Sequence, residues 1–328
     1  MSDEILTATI SSDYARQRLD VALAEMFPDY SRSRIQQWIK AGKVLLNGEV
    51  PKGKVKLLGD EQVEIHIQAE PLDDHCYAQD IPIDIIHEDE DIIVINKPVG
   101  MVVHPAAGHK DGTLQNALLH FDEHLNEVPR AGIVHRLDKD TSGLLVVARN
   151  LKAHKNLVAQ LQARTVHREY QAIVLGVMTS GGTVNEPIGR HARDRKRMAV
   201  RLDAKEAITH YRVSERYRGH TRVKVNLETG RTHQIRVHMN HINFPIIGDP
   251  VYGGRLILPR GASDELKEAL KLFKRQALHA AQLGLLHPAS GEEVHWKAPI
   301  AEDMKHIIDI LRADAEEAAS DYDDFYDQ

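Results

Sequence analysis

The chain contains 328 residues and one cysteine, with 42% hydrophobic and 5% aromatic residues and a formal net charge of −6 at pH 7. This composition is typical of a globular protein with one large domain and a smaller one. It excludes an internal disulfide, and the sequence has neither a signal-peptide pattern nor an apolar run near the roughly 18 residues that span a membrane. We therefore expect a cytoplasmic protein without a membrane partner.

The charge is unevenly distributed along the chain. Residues 16–56 hold nine Lys and Arg against four acids, and residues 186–222 hold eleven against five. Residues 60–91 carry twelve acids and residues 313–328 carry seven, in both cases without Lys or Arg. Two basic regions separated by acidic ones predict surfaces that bind phosphates. Uneven surface charge without a function is the alternative.

The first predicted element is a helix over residues 32–41. Ser31 is a suitable N-cap and Gly42 a suitable C′ residue. Helical periodicity places an apolar stripe inward and a basic stripe on another face, and the Asn47-Gly48 pair predicts a tight hairpin. A basic stripe alone is usually a solvated helix face. Within a small basic module it also predicts phosphate contacts, which we assign to Arg32, Arg34, Lys40 and Lys43.

Residues 16–65 resemble the S4 RNA-binding domain. The resemblance rests on Arg-Leu-Asp at 18–20, on the helical run Ser-Arg-Ser-Arg-Ile-Gln-Gln-Trp-Ile-Lys-Ala-Gly at 31–42, and on the Asn-Gly turn. It implies that the basic helix face docks on structured RNA. We expect an S4-like domain over residues 1–75, a catalytic domain over 76–312 and an acidic tail over 313–328.

The larger domain follows a predicted interdomain linker over residues 70–91. Short strands are predicted at 92–95, 144–148, 170–175, 223–227 and 234–238, and helices at 113–121, 151–164 and 264–275. Because the strands cluster and do not alternate regularly with helices, the pattern predicts an α+β fold with a mixed, mainly antiparallel sheet. The acidic tail is expected either to be disordered or to extend the last helix.

One candidate catalytic segment spans residues 130–148. Asp138 follows a short apolar pair and precedes a strand of Leu and Val, so it lies on a polar turn held by rigid elements, a common place for catalytic groups. From spacing alone, a catalytic role and an ordinary turn role are equally supported for Asp138. For Asp140 we prefer the ordinary role, a cap of the Thr-Ser-Gly turn.

Two further segments concentrate polar residues. Over residues 228–238, strand-like alternation puts Arg231 and His233 on one face and Arg236 on the other. An arginine at the start of that strand, Arg231, could reach a carboxylate on a neighbouring loop. Tyr170 begins a strand after a helix, where an aromatic residue taken alone is more often part of the core than a ligand.

Together these segments resemble the pseudouridine synthases of the RluA group, in consistent order over about residues 81–312. The matching motifs are Asn-Lys-Pro-Val-Gly at 96–100, His-Arg-Leu-Asp at 135–138, Arg-Glu-Tyr at 168–170, Gly-Arg-Thr-His-Gln-Ile-Arg at 230–236 and Gly-Asp-Pro-Val-Tyr-Gly at 248–253. The resemblance implies that Asp138 is the catalytic nucleophile and that Arg136 replaces the extruded base in the RNA stack. It also implies that Tyr170 lies against the flipped uracil and that Arg231 pairs with the catalytic carboxylate.

The implied reaction isomerises uridine, so no cofactor and no metal are expected, in keeping with the absence of nucleotide-binding and CxxC motifs. With an S4 module in front, the resemblance implies 23S ribosomal RNA or its large-subunit precursor as the partner, and the helix 69 stem-loop as the target. We expect a second basic stretch to bind phosphates as well, through Arg190, Arg193, Arg195, Lys196 and Arg197.

Three alternatives stay open at this point. The first is a non-catalytic S4-type RNA-binding assembly factor, and the second is a hydrolase that uses Asp and His to release uracil. The third is an RluC-like synthase with other 23S rRNA targets. A zinc site among His233, His238 and His241 is not supported, because no Cys or carboxylate completes a ligand set. No pattern requires more than a monomer.

Overall fold

The structure is a computed structural model that describes residues 4–27, 32–51, 55–67, 76–106, 109–194 and 197–326. The chain divides into two compact units, Met1–His75 and Cys76–Gln328. Across the described residues, every helix is too short or too polar to cross a membrane.

The N-terminal unit packs two helices on a small antiparallel sheet. Its elements in chain order are β1 (Glu4–Thr9), α1 (Leu19–Met26), α2 (Arg32–Lys40), β2 (Val44–Leu46) and β3 (Gln62–Ile67), and the sheet order is β1-β3-β2. The apolar stripe of α2 is buried, as predicted, with Ile35 and Trp38 in the core. Asn47 and Gly48 both have positive φ and let Glu49 fold back onto Leu46, which confirms the predicted tight turn.

A buried carboxylate ties the two helices of this unit together. Asp20 accepts hydrogen bonds from the side chains of Arg18, Arg32 and Gln36. Both the Nε and one Nη of Arg32 bind the same Asp20 oxygen, at 2.9 and 2.8 Å. The guanidinium of Arg32 therefore has a partner inside the domain, and its contact with RNA stays a prediction. The side chain of Arg34 lies outside the described part, and so does its predicted contact; Lys40 is exposed.

We expect the N-terminal unit to lose stability in acid because of Asp20. Burial opposes ionisation, but the hydrogen bonds from Gln36, Arg18 and Arg32 prevail and lower the Asp20 pKa from 3.8 to about 2. A carboxyl with a depressed folded pKa stabilises fully above its unfolded value, so this contribution, about 2 kcal/mol, should shrink as the pH falls below about 4 and disappear below the folded pKa of about 2. Urea denaturation of a Trp296→Phe protein would follow Trp38 alone. Asp20→Asn should be costly at pH 5 and cost about a third as much at pH 2.5. An equal cost at both pH values would contradict this assignment, and Asp13→Asn, at an exposed site, is the control.

The larger unit is built on a sheet of nine strands within the described residues. The strands are β4 (Ile85–Glu88), β5 (Ile92–Lys97), β6 (Ser142–Ala148), β7 (His167–Leu175), β8 (Gly182–Asn185), β11 (Ile208–Arg216), β12 (His220–Leu227), β13 (Leu278–Leu286) and β14 (Glu293–Lys297). A separate ribbon pairs β9 (Ile188–Arg190) with β10 (Met198–Val200). The order β4-β5-β6-β13-β7-β12-β11-β8 is antiparallel except between β13 and β6, and β14 pairs with β13. The predicted α+β class with a mixed, mainly antiparallel sheet is confirmed.

Helices cover both faces of the central strands. The helices are α3 (Leu114–Phe121), α4 (Leu151–Gln162), α5 (Gln234–His241), α6 (Asp264–Leu272) and α7 (Glu302–Tyr326). On β5, Ile92 and Val94 join the apolar cluster that includes α4, whereas Ile93 and Ile95 join the one that includes α3, α6 and α7. Because both faces are buried, β5 and β6 read as continuous apolar runs in the sequence.

Two predictions about individual elements are corrected. Residues 234–238, predicted as a strand, belong to helix α5. The predicted linker over 70–91 contains strand β4, which the acidic residues around it concealed, and residues 70–75 of that linker lie outside the described part. Of the two alternatives for the acidic tail, the structure has the extended last helix, since α7 continues to Tyr326.

Candidate active site

Asp138 lies on a tight turn directly before β6. The backbone N–H of Thr141 donates to the Asp138 carbonyl at 3.1 Å and closes the turn. Gly143 has φ +110°, and a Cβ there would lie 2.2 Å from the carbonyl oxygen of Ala280 on β13. Only glycine permits this close approach of β6 to β13. The sheet therefore fixes the position from which Asp138 projects.

Lys97 also stabilises the turn that carries Asp138. Its fully buried ammonium donates to the carbonyls of Pro98, Met101 and Lys139 at 2.8, 3.0 and 3.0 Å. Burial lowers the Lys97 pKa to about 8, although the carboxylates of Asp140 and Asp138 oppose this shift. The charge of Asp140 therefore acts on Lys97. In the described residues the Asp140 carboxylate accepts no hydrogen bond that would cap the turn, so the predicted cap is wrong.

The Asp138 carboxylate is held by Arg236 of helix α5. One Nη of Arg236 donates to Oδ2 of Asp138 at 2.9 Å, while Nε and the other Nη form a bidentate pair with Asp249 at 2.7 and 2.9 Å. Oδ1 of Asp249 also accepts the backbone N–H groups of Val251 and Tyr252. The Asp249 side chain is completely buried and that of Asp138 is 17% exposed. The guanidinium is therefore oriented by one carboxylate and presents its remaining donor to the other.

The prediction that Arg231 pairs with Asp138 is wrong. Nε of Arg231 instead donates to the carbonyl of Glu206 at 2.9 Å, and its backbone N–H binds the Gln234 side chain. The error follows from the strand assumed for residues 234–238, which put Arg236 on the face opposite Arg231. His233 adopts the left-handed conformation, with φ 57°, and α5 starts immediately after it. The helix turns Arg236 toward Asp138.

His233 approaches the other oxygen of Asp138. Its Nε2 lies 3.9 Å from Oδ1, too far for a hydrogen bond, and its Nδ1 lies 2.8 Å from the hydroxyl of Tyr252. That hydroxyl accepts the Met198 N–H at 2.8 Å, so its proton is free to donate to Nδ1 and leave the imidazole proton on Nε2, toward Asp138. Burial lowers the pKa of His233, although the Asp138 carboxylate opposes the shift. The ring is therefore neutral near pH 7.

We expect Tyr252→Phe to lower the turnover number roughly tenfold, because second-layer hydrogen bonds commonly hold a site in its productive geometry. Without the Tyr252 proton on Nδ1, His233 should also protonate more readily and then pair with Oδ1 of Asp138. The acidic limb of the pH–rate profile should move to higher pH than in the native protein. A Tyr252→Phe protein with an unchanged pH profile and turnover number would contradict this coupling. Tyr211→Phe on β11 provides a control substitution.

Tyr170 lies on β7, one strand removed from β6, and Arg136 lies in the loop just before Asp138. Tyr170, on β7, pairs with Val225 and Ala280 of the neighbouring strands and is buried. Burial raises the Tyr170 pKa, and the nearby Asp138 carboxylate raises it further, against the opposing charge of Arg168. Its phenol is therefore protonated at neutral pH. The side chain of Arg136 is exposed and has no bonded partner among the described residues.

The second basic stretch lies beside this site at one end. The Arg197 guanidinium lies 5.4 Å from the centre of the Tyr252 ring, on which Arg236 also lies at 5.1 Å. Arg190 and Arg193 are exposed, whereas Arg195 and Lys196 lie outside the described residues. Phosphate binding by these side chains stays a prediction.

The sequence interpretation missed three residues of the site. Asp249, Tyr252 and Arg236 stand in the quoted motifs at 230–236 and 248–253 but were given no role. A completely buried aspartate cannot be recognised from one sequence. The signal that was present is an acid followed by an aromatic residue in a loop rich in Gly and Pro.

Hydrogen bonds within the protein already use the histidines that could bind a metal in the described part of the chain. Among the described residues, Asp89, Asp91 and His287 are close enough to share an ion. Nδ1 of His287, however, faces the backbone N–H groups of Ala289 and Ser290, which places the ring proton on Nε2, where it donates to Asp89 at 3.0 Å. His238 uses both ring nitrogens within the protein, toward Thr209 and the Glu186 carbonyl.

Comparison with known proteins shows which family the chain resembles in sequence and fold. The family model described as RNA pseudouridylate synthase matches residues 91–241, and the S4 domain model matches residues 17–63. The chain is 57% identical over 319 residues to ribosomal large subunit pseudouridine synthase D of Escherichia coli strain K12, covering 97% of this chain and 98% of that protein. It is 53% identical to the protein of the same name from Xanthomonas campestris, covering 97% and 96%. The structure of human RNA pseudouridylate synthase domain containing 4 aligns with a TM-score of 0.55 and 29% identity, over 70% of this chain and 93% of that one.

The chain therefore belongs to the RNA pseudouridylate synthase family. It is a pseudouridine synthase that carries an S4 domain ahead of its catalytic domain, and the resemblance recognised in its motifs is confirmed.

Proposed function

We propose that this enzyme converts uridine to pseudouridine in large-subunit ribosomal RNA, at the helix 69 stem-loop, with Asp138 as the nucleophile. The observation that carries the catalytic part is the single carboxylate of Asp138, half-buried and held on one oxygen by Arg236. The RNA target is supported by the names of the relatives, which are ribosomal large subunit enzymes and match over nearly their whole length.

The contacts of Asp138 place a cation on one of its oxygens. An arginine within hydrogen-bond distance forms a charge-assisted hydrogen bond with a carboxylate. Arg236 has this position, and Asp249 holds it there. Among the described residues, Oδ1 of Asp138 accepts no hydrogen bond and lies 3.9 Å from Nε2 of the neutral His233 ring, so this oxygen is available to a substrate.

The reaction breaks the C1′–N1 bond of uridine and forms a C1′–C5 bond, while a proton leaves C5 and N1 gains one. The product is an isomer, so the atoms balance without a co-reactant. The target base must leave the RNA stack to reach Asp138, at a cost of a few kcal/mol. Arg136, exposed beside the site, is suited to fill the vacated position because a guanidinium can stack and donate hydrogen bonds together.

Asp138 has three chemical routes: addition to C6 of uracil, attack on C1′, or assistance in removing a 2′ proton to give a glycal. The last route calls for a base near the sugar. The raised pKa of Tyr170 weighs against its service as that base and favours a role as a flat surface with a hydroxyl donor.

Base-resolved pseudouridine mapping of ribosomal RNA, with and without the gene, tests the proposal. Without the gene, we expect pseudouridine to be lost from helix 69 and retained elsewhere. Loss at other 23S positions would indicate an RluC-like specificity, and unchanged RNA would indicate an RNA-binding assembly factor. Release of free uracil from a purified stem-loop would indicate a hydrolase.

Salt dependence tests the basic surfaces. Each phosphate contact removed should flatten the slope of log affinity against log salt by about one unit. We expect this for Lys40→Ala and Arg193→Ala, with no change in the turnover number. Lys305→Ala, an exposed lysine of α7, should leave the slope unchanged. Slopes that agree among all three variants would remove these residues from the interface.

A further inference from the structure

A cavity lies beside the loop that carries Asp249. Its volume is about 280 Å³, and its apolar walls come from Leu175, Ile246, Leu270 and Phe273. Asp249 lines this cavity, whereas Asp138, Arg236, His233 and Tyr252 do not. The cavity is therefore separate from the group around Asp138 and adjoins it at Asp249. Its size is at the lower end of ligand pockets, suited to one small planar group.

The mouth of this cavity is positively charged. Arg255 and Lys274 line it, are exposed, and have no ion-pair partner among the described residues. The lining contains one acid, Asp249, and its charge is already neutralised by Arg236. Leu256 and Ile257 form an exposed apolar rim, 47% and 57% exposed. An occupant with an apolar planar body and an anionic group matches this distribution.

A buried histidine forms part of the wall. His220, on β12, lines the cavity and is 1% exposed. Burial lowers the His220 pKa to about 4, although Asp314 opposes the shift, so the ring is neutral at physiological pH. Its Nδ1, unpaired among the described residues, is itself enclosed by the protein, so His220 contributes an uncharged ring to the wall. The positive charge of the cavity therefore comes from its mouth.

We propose that this cavity receives a second unpaired base of the same RNA, with the adjoining phosphate on Arg255 and Lys274. Proteins recognise single-stranded RNA by placing splayed bases against apolar and aromatic side chains and by hydrogen-bonding their edges. Asp249 lines the cavity and is joined to Asp138 through Arg236, which suits a nucleotide near the target uridine. This inference rests on the proposed function, because it takes RNA as the substrate.

The test combines variants with substrate RNAs that each carry one abasic position. With an Asp138→Asn background and equilibrium binding of helix 69 stem-loops, one position other than the target should weaken binding about tenfold when its base is removed. In an Ile257→Trp protein, where the indole occupies the mouth, this penalty should disappear. On intact RNA, Arg255→Ala/Lys274→Ala should raise KM about tenfold without changing the turnover number. Arg260→Ala, in the same loop but outside the lining, is the matched control.

Abasic penalties that are identical in the native and Ile257→Trp proteins would overturn the proposal, and so would an unchanged KM for the double variant. Occupation by a peptide or a small metabolite would give the same negative results. The base-resolved mapping above reports separately on the uridine site, so a failure of the proposed function is distinguishable from a failure of this cavity assignment.

Discussion

Asp138→Asn should reduce pseudouridine formation by at least about 10⁴-fold, because the amide is a far weaker nucleophile than the carboxylate. The amide oxygen can still accept the 2.9 Å hydrogen bond from Arg236, so folding and RNA affinity should change little. Single-turnover assays on a stem-loop, with thermal unfolding and equilibrium binding beside them, measure all three properties.

The matched control for this variant is Asp140→Asn, two residues further along the same turn. It should retain turnover within about tenfold, because its charge acts on Lys97 and not on the substrate. Native turnover by Asp138→Asn would exclude nucleophilic catalysis by this residue, and an equal loss in both variants would indicate a general effect of the turn's charge.

Arg236→Met should abolish activity and also destabilise the catalytic domain by about 3–5 kcal/mol, because it leaves the buried Asp249 charge without a partner. Within the described residues the side chain of Arg231 makes one hydrogen bond, to the Glu206 carbonyl at a more exposed position, so Arg231→Ala should cost less than about 1 kcal/mol. Urea denaturation and initial rates measured on both variants compare the two arginines directly.

A second variant separates folding from catalysis. In Arg236→Met/Asp249→Asn the buried charge is removed, while the amide oxygen still accepts the N–H groups of Val251 and Tyr252. We expect most of the lost stability to return and the activity to stay low, because Asp138 lacks its cationic partner. Activity that recovers together with stability would show that Arg236 acts on the fold alone.

Local patterns in the sequence were sufficient for much of the fold. The central strands carry uninterrupted apolar runs that need no alternation, and helix α2 is defined by its apolar stripe. The place of Asp138 on a polar turn before a strand was predicted from local features, whereas its role as nucleophile was assigned from the resemblance of the His-Arg-Leu-Asp motif and stays a proposal. Each of these signals depends on residues within one turn or one strand of each other.

The partner of Asp138 could not be found in this way. Residues 234–239 are all buried, so neither a helical stripe nor a strand alternation distinguishes the two conformations, and Ile and Val favour the strand. The choice of helix depends on packing and on the Arg236–Asp249 pair, which joins positions 13 residues apart. A long-range ion pair of this kind has no signature in local periodicity.

The Arg236 guanidinium binds two carboxylates and the adjacent His233 imidazole is neutral, so Asp138, Asp249, Arg236 and His233 together carry a formal charge of minus one. We expect this local charge to repel phosphodiester groups and to admit an uncharged nucleobase. The phosphates of a bound RNA would then stay with arginines and lysines outside this group while one base approaches Asp138.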